Sequence, residues 1–404
     1  MPVVPTANPG GNRLRIVIGG YLGLLPAGGI TWDYVQYVAG FAELGHDVFY
    51  IEDTRVWPIY HKDATEQPTC EMNVAHLSRV MSSFGLDGHW AYRDEVTGTC
   101  FGMSLSEVKE VCRTADVFVN ISCSTFLRDE YRSIPVRILI DSDPMFTQIQ
   151  YATRVGFTAG ESGIQSLIEG HTHHFTFGES VGEPGCLIPQ AGVKWRPTRQ
   201  PICLDEWRSP PAIGIGSGFT TVMNWMAGEP LHYDGDTWGQ KDVEFQRVLD
   251  IPSHVDAPFA MVVGQTTGDP FPLEATTRAG WQVLDPNTHA PDWLTYREFI
   301  RGSLAEFSVA KETYVKARTG WFSCRSACYL ASSRPVITQD TGWTRHVPSG
   351  TGLIGFTTFD EAVAGLDAIL TDPKAHALAA REIAEENFDS HRVLGQMLEE
   401  SGAA

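Results

Sequence analysis

Apolar runs of strand length alternate with helix-length periodic segments through most of this chain, and no other feature restricts its fold as much. "RLRIVIGG" (13–20) reads as a buried strand. "ITWDYVQYVAGFAELG" (30–45) carries Ile30, Tyr34, Val38, Phe41 and Ala42 at helical spacing before Gly45, a natural helix stop. "HDVFYIED" (46–53) returns as a strand, and "ADVFVNIS" (115–122) and "VRILIDSD" (136–143) read as further strands that end in polar residues. Beyond a proline-rich stretch between Cys186 and Ser217, the runs at 219–225, 259–265, 281–286, 304–310 and 334–340 form a second set. Such alternation marks βα units on mostly parallel sheets, so the fold class is α/β, built as two Rossmann-like halves. A chain of 404 residues, 43% of them hydrophobic, fills two cores, since a single core rarely grows past about 250–300 residues. Residues 360–400 read as helix broken near Asp372-Pro373 and can cross back to the first domain. The expected domains are therefore 1–205 and 206–380, with a helical tail 381–404 packing near the first.

Thirty Lys and Arg against 49 Asp and Glu give a formal net charge of −19. This opposes broad adhesion to polymeric nucleic acid or to anionic membranes, which needs basic surface. The N-terminus has no apolar core of signal-peptide length, and no run of about 20 apolar residues offers a transmembrane segment, so the expected location is cytoplasmic. Eight cysteines are scattered; Cys324 and Cys328 lie one helical turn apart without zinc-ligand companions, which reads as reduced thiols. "HTHHF" (171–175) lacks cysteine or carboxylate at ligand spacing, and no metal is expected.

The segment "GWFSCRSACYLASSRPVITQDTGWTR" (320–345) places small and polar residues around an apolar strand, a pattern suited to a phosphate-bearing ligand. A nucleoside diphosphate needs backbone N–H donors at a helix N-terminus and one or two cations. Gly320 permits close approach, Ser323 and Ser326 offer hydroxyls, and Arg318 or Arg325 offers charge; the structural alternative is a capping Ser323 and a solvated Arg325. Asp340, at a strand's carboxyl end before Thr341 and Gly342, can pair with sugar hydroxyls or instead shape an Asx-type turn. For a general base the candidates are Asp33 on the first turns of a helix, Asp141 and Asp143 at a strand end, and the cluster His171, His173 and His174, represented by His174.

"PAGGITWDYVQYVAGFAELGHDVFYIED" and "YREFIRGSLAEFSVA…GWFSCRSACYLASSRPVITQDTG" resemble the opening and the donor-binding region of nucleotide-sugar glycosyltransferases of the two-domain GT-B fold. Arg334-Pro335-Val336 and Gln339-Asp340-Thr341-Gly342 stand where that family has Gly-x-Pro-Val and Ser-Asp-x-Gly-Gly. The resemblance implies two Rossmann-like domains facing a cleft, a nucleotide-sugar partner (UDP-sugar favoured, dTDP- or GDP-sugar as alternatives), a small-molecule acceptor and no separate cofactor. It also gives Lys241 a donor-binding role, as its position is similar to a lysine that many members place after the first donor-domain strand. Two departures leave the stereochemistry open. The paired glutamates of many retaining members fall on Gly320 and Cys328, and residues 26–33 hold no histidine of the kind inverting members carry.

Three rival readings share parts of this pattern. A dinucleotide-dependent oxidoreductase would use Glu52 or Asp53, but "GGYLGLLPAGG" does not supply G-x-G-x-x-G directly after the strand. A sugar-nucleotide epimerase or hydrolase has the same architecture and needs no acceptor. A non-catalytic sugar-nucleotide-binding protein is favoured by the missing glutamates. The aromatic-rich segments 88–103 and 143–157 either line an acceptor cleft or fill a core.

Overall fold

A computed structural model of the chain describes residues 13–55, 59–60, 65–66, 69–95, 97–154, 163–210, 218–264 and 270–404. Val96 of the 88–103 segment, residues 155–157 of the 143–157 segment, Gln265 and the end of the proline-rich stretch (211–217) lie outside the described residues.

The chain divides into two compact units. The first comprises 1–177, 189–203 and 390–404, and the second comprises 178–188 and 204–389. The main strands of the first unit are β1 (Arg15–Gly19), β2 (Asp47–Glu52), β3 (Trp90–Arg93), β4 (Cys100–Gly102), β5 (Val117–Ile121), β6 (Val136–Asp141), β7 (His173–Thr176) and β8 (Trp195–Pro197). They form one sheet in the order β8-β7-β6-β5-β1-β2-β3-β4, parallel throughout except for β4 against β3. The second unit has β9 (Phe219–Asn224), β10 (Phe259–Gly264), β11 (Trp281–Leu284), β12 (Ala305–Ser308), β13 (Val336–Gln339) and β14 (Leu353–Phe356). Their order is β11-β10-β9-β12-β13-β14, all parallel. The strand order reverses between β1 and β5 in one sheet and between β9 and β12 in the other, which puts a ligand-binding crevice at the carboxyl ends there.

The central strands β1, β5, β10 and β12 are largely buried on both faces, as parallel strands with helices on each side must be, and β1, β5 and β10 read accordingly as apolar runs. In the second unit Phe219, Phe259, Trp281, Phe307 and Phe356 meet in one aromatic core; Phe307 and Phe356 stack with centroids 5.5 Å apart. Trp90, Tyr92 and Phe146 of the two aromatic-rich segments are buried in the first unit, so these rings fill its interior.

The boundaries differ from the expected 1–205, 206–380 and 381–404, because the proline-rich stretch is not a single linker. Residues 178–188 belong to the second unit: the Ser180 amide donates to the Thr319 carbonyl (3.0 Å) and the Leu187 amide to that of Ala317 (2.9 Å). Residues 189–203 return to the first, where β8 pairs with β7 and the Cys203 amide donates to Gln36 Oε1 (3.1 Å). The tail is three helices, Phe359–Thr371, Pro373–Asn387 and Ser390–Ser401, and the change of unit falls at Ser390. Gly40 makes the last helix fit: a Cβ there would stand 2.7 Å from Leu394 Cδ1 and 2.9 Å from Ser390 Cβ.

Candidate functional site

The helix Cys324–Ala331 connects β12 to β13, so its N-terminus lies at the carboxyl edge of the second sheet. Arg325, in its first turn, is where the sequence reading and the structure part. Its Nε donates to Glu306 Oε1, Nη1 to the Val222 carbonyl (2.6 Å) and Nη2 to Ser308 Oγ (2.9 Å). Val222 is on β9 and Glu306 and Ser308 are on β12, so this guanidinium spans the two strands at the reversal point. Glu306 is fully buried and Arg325 nearly so. Arg325 therefore anchors the helix and is not a solvated cation awaiting a ligand. A charged residue inside "LAEFSVA", between Ala305 and Phe307 on a buried strand, was the sequence signal for this partner, since a fully buried carboxylate must be paired.

What the anchored helix presents is its first turn. Ser323 occupies the N-cap position with extended backbone but makes no capping hydrogen bond, and the first turn holds no acidic residue. Among the described residues no side chain caps the amides of Arg325 and Ser326, and the buried Ser326 hydroxyl has no partner. A helix N-terminus in this state has unsatisfied N–H donors and a favourable dipole for an anion.

The loops beside it are tightly bound to one another. Gly320 (φ +76°) donates its amide to the Thr341 carbonyl (2.9 Å), and Thr341 Oγ1 donates to the Trp321 carbonyl (2.6 Å). Gly320 lacks a side chain because protein, not ligand, fills that space: a Cβ would stand 2.7 Å from both N and Oγ of Ser180. Asp340 Oδ1 accepts from the Gly342 amide (2.8 Å) and Oδ2 from Thr344 Oγ1 (3.0 Å), which is the Asx-type turn that leads into the short helical turn Trp343–Arg345. Gly342 (φ +99°) supplies the left-handed conformation that this turn demands. Asp340 remains half-buried, and Oδ2 retains an acceptor position. Lys241, also half-buried, is the first residue of the helix Lys241–Phe245.

In the first unit most candidate acids are already engaged. Asp141, the last residue of β6, is buried and accepts from Thr147 Oγ1 (2.6 Å), Gln148 Nε2 (2.7 Å), Thr176 Oγ1 (2.7 Å) and the Asp143 amide (3.1 Å). Four donors leave it no room to accept a proton from an acceptor hydroxyl, and it serves to close the strand end. His174 lies on β7, where Nε2 bonds the Ile168 carbonyl (2.7 Å) and the ring packs edge-on against Trp195; burial lowers its pKa. His171 is fully buried, with Nδ1 on the Leu167 carbonyl (2.6 Å) and its pKa driven down to about 3 by burial. His171 and His174 thus have their ring nitrogens engaged by backbone carbonyls within the unit. Asp143 is half-buried after β6, and Asp33 is exposed in the second turn of the helix Gly28–Glu43, whose N-terminus lies at the carboxyl edge of the first sheet.

Glu52 and Asp53 do not face a ribose. Asp53 takes a bidentate pair from Arg128 (2.7 and 2.9 Å) and the Tyr131 hydroxyl (3.1 Å). Glu52, fully buried at the end of β2, accepts from the amides of Gly23 (2.7 Å) and Leu24 and from Tyr50 Oη (2.9 Å), and so ties down the glycine-rich loop. Asn73 Nδ2 holds the same loop from the other side, donating to the carbonyls of Gly23 (3.0 Å) and Leu24 (3.1 Å). This use of both acids removes the dinucleotide-oxidoreductase reading. Among the described residues no group of three or more His, Cys, Asp or Glu is arranged to hold a metal, and no helix is long and apolar enough to cross a membrane.

No protein-family model matches the chain, and no curated protein matches it in sequence. Solved structures match it in fold. An α-glucosyltransferase in complex with UDP and a 13-mer DNA containing a central A:G mismatch aligns with a TM-score of 0.61 at 10% identity, over 96% of this chain and 100% of that one. The chain has the GT-B fold. HepE of Anabaena in complex with UDP aligns at 0.54 and 9% identity over 97% and 100% of the two chains. AviGT4, a glycosyltransferase involved in avilamycin A biosynthesis, aligns at 0.51 and 12% identity over 96% and 97%. Within this GT-B chain the second sheet carries the uncapped helix N-terminus, and the first carries the loop clasped by Glu52.

Burial lifts the Glu52 carboxyl from 4.5 to about 7, against the opposing pull of its three donors. The unfolded chain releases this proton near the ordinary value, so the stabilisation is complete below pH 4.5 and is lost as pH rises through about 7. The shift corresponds to a loss on the order of 3 kcal/mol. Urea unfolding at pH 5 and pH 8 should show wild type losing more stability over that interval than Glu52→Gln; parallel pH profiles would contradict the assignment.

Proposed function

We propose that the protein is a hexosyltransferase that moves a sugar from a nucleoside diphosphate sugar to a small-molecule acceptor. The observation that carries this reading is the uncapped, acid-free first turn of the Cys324–Ala331 helix at the strand-order reversal of the second sheet. That the matched α-glucosyltransferase and HepE structures contain UDP supports a uridine nucleotide there, with dTDP and GDP as the other candidates. The diphosphate is read by the Arg325 and Ser326 amides with the Ser323 hydroxyl, Gly320 and Thr341 shape the loop, and Lys241 supplies positive charge. Asp340, through its remaining acceptor position, takes a sugar hydroxyl, and Gly342 holds the turn that aims it.

The net charge of −19 weighs against DNA, the polymer present with the matched α-glucosyltransferase, as this chain's acceptor. A small neutral or cationic acceptor suits an acidic protein. Transfer requires removal of the acceptor hydroxyl proton as the anomeric carbon is attacked. Asp33 is the base in this reading, since it is exposed near the start of the helix Gly28–Glu43, whose N-terminus lies at the carboxyl edge of the first sheet. Asp143 is the reserve candidate.

The intact chain incubated with UDP-, dTDP- and GDP-glucose should gain thermal stability with one of the three; a ligand at 100 times its Kd adds about 2.7 kcal/mol. No stabilisation by any of them would remove the donor-site reading. With the donor fixed, Asp33→Asn should lower kcat by roughly 10²–10⁴-fold while donor affinity stays at the wild-type value. Unchanged kcat would transfer the role to Asp143.

A further inference from the structure

Three segments of the second unit, 178–183, 317–323 and 339–346, are stitched into one polar nest beside the Cys324–Ala331 helix. Ser180 is its centre. Fully buried, it donates its amide to the Thr319 carbonyl (3.0 Å), and its hydroxyl stands 2.9 Å from His346 Nε2. Gly320 is needed to admit it: the Ser180 hydroxyl is 2.7 Å from the place a Cβ on Gly320 would take. His346 is therefore one hydroxyl away from the turn that opens the helix. Its side chain is 16% exposed, and among the described residues Nδ1 has no partner.

The charges around the nest decide what it can bind. Glu183 Oε2 lies 3.8 Å from His346 Nε2 and 3.6 Å from Arg345 Nη1, and Asp340 stands at the opposite end of the Trp343–Arg345 turn. Three carboxylates (Glu179, Glu183 and Asp340) against two guanidiniums (Arg318 and Arg345) and one imidazole give no net positive charge to offset a phosphate. They give donors and acceptors side by side, the chemistry that recognises a polyol. The Cys324–Ala331 helix, whose amides are assigned to the diphosphate, begins four residues beyond Gly320, so the nest adjoins that site along the chain.

We propose that His346, oriented by Ser180, is a specificity-determining residue for the hydroxyl groups of the transferred sugar. Ser180 Oγ–H donates to Nε2, which places the imidazole proton on Nδ1, where it donates to a sugar hydroxyl. Ser180 is a positioning residue in this arrangement, and its own hydroxyl does not reach the ligand. The inference rests on the nucleotide-sugar reading of the second unit.

The test is calorimetric titration of the full-length chain with UDP and UDP-glucose, repeated with the dTDP and GDP pairs and with the galactose and N-acetylglucosamine donors. For the donor that binds, His346→Ala should reduce the preference for the sugar nucleotide over the free nucleotide by roughly five- to tenfold, with the free-nucleotide affinity unchanged. His346→Gln, whose amide keeps a donor, should recover part of the preference, and Ser180→Ala should lower it less than His346→Ala. An unchanged ratio in His346→Ala, or equal losses for nucleotide and sugar nucleotide, would overturn the assignment while leaving the donor site in place. Failure of the wild type to bind any of these nucleotides would instead remove the donor-site reading on which it rests.

Discussion

The second unit is organised around a buried guanidinium. Arg325 reaches from the first turn of a helix to a carbonyl on β9 and to Glu306 and Ser308 on β12, the two strands between which the order of the sheet reverses. Bringing these charges out of water is costly, and a buried ion pair often contributes no net stability over apolar packing. Its effect is positional. The three-pronged contact fixes where the helix begins relative to the sheet, and with it the direction of the uncapped amides. Loss of either partner would leave a buried charge alone, which is strongly unfavourable.

The first unit solves a parallel problem with a carboxylate. Its glycine-rich loop has amides that a ligand could use, but Glu52 takes those of Gly23 and Leu24, and Asn73 takes the two carbonyls. The loop is thus set by the protein itself. Glu52, Asp53 and Asp141 are engaged internally, and Asp33 is exposed on the helix that follows the loop.

The α/β class and the two Rossmann-like units were legible because parallel strands buried on both faces write themselves as apolar runs with polar ends. β7 was not: its first two residues, His173 and His174, stand where a strand is expected to show apolar residues, and their ring nitrogens meet the Thr172 hydroxyl and the Ile168 carbonyl. The unit boundaries were hidden for a related reason, since 178–188 is held by long-range bonds to Thr319 and Ala317. At the site, the small residues around 320–345 were visible, but their division of labour was not. Gly320 is small to admit Ser180, a residue 140 positions earlier in the chain, and Arg325 is basic to meet Glu306. Asp340 shapes a turn and keeps an acceptor position at once, so the turn and ligand readings weighed from sequence describe the same carboxylate.

The account stands most directly on the claim that the diphosphate sits on the first turn of the Cys324–Ala331 helix. The Arg325 and Ser326 amides there have no capping side chain and exchange readily with solvent unless a ligand accepts from them. Hydrogen exchange of the intact chain with saturating UDP, dTDP or GDP should therefore show new protection at Arg325 and Ser326. Protection confined to the first unit, with exchange at these two amides unchanged by a bound nucleotide, would contradict it.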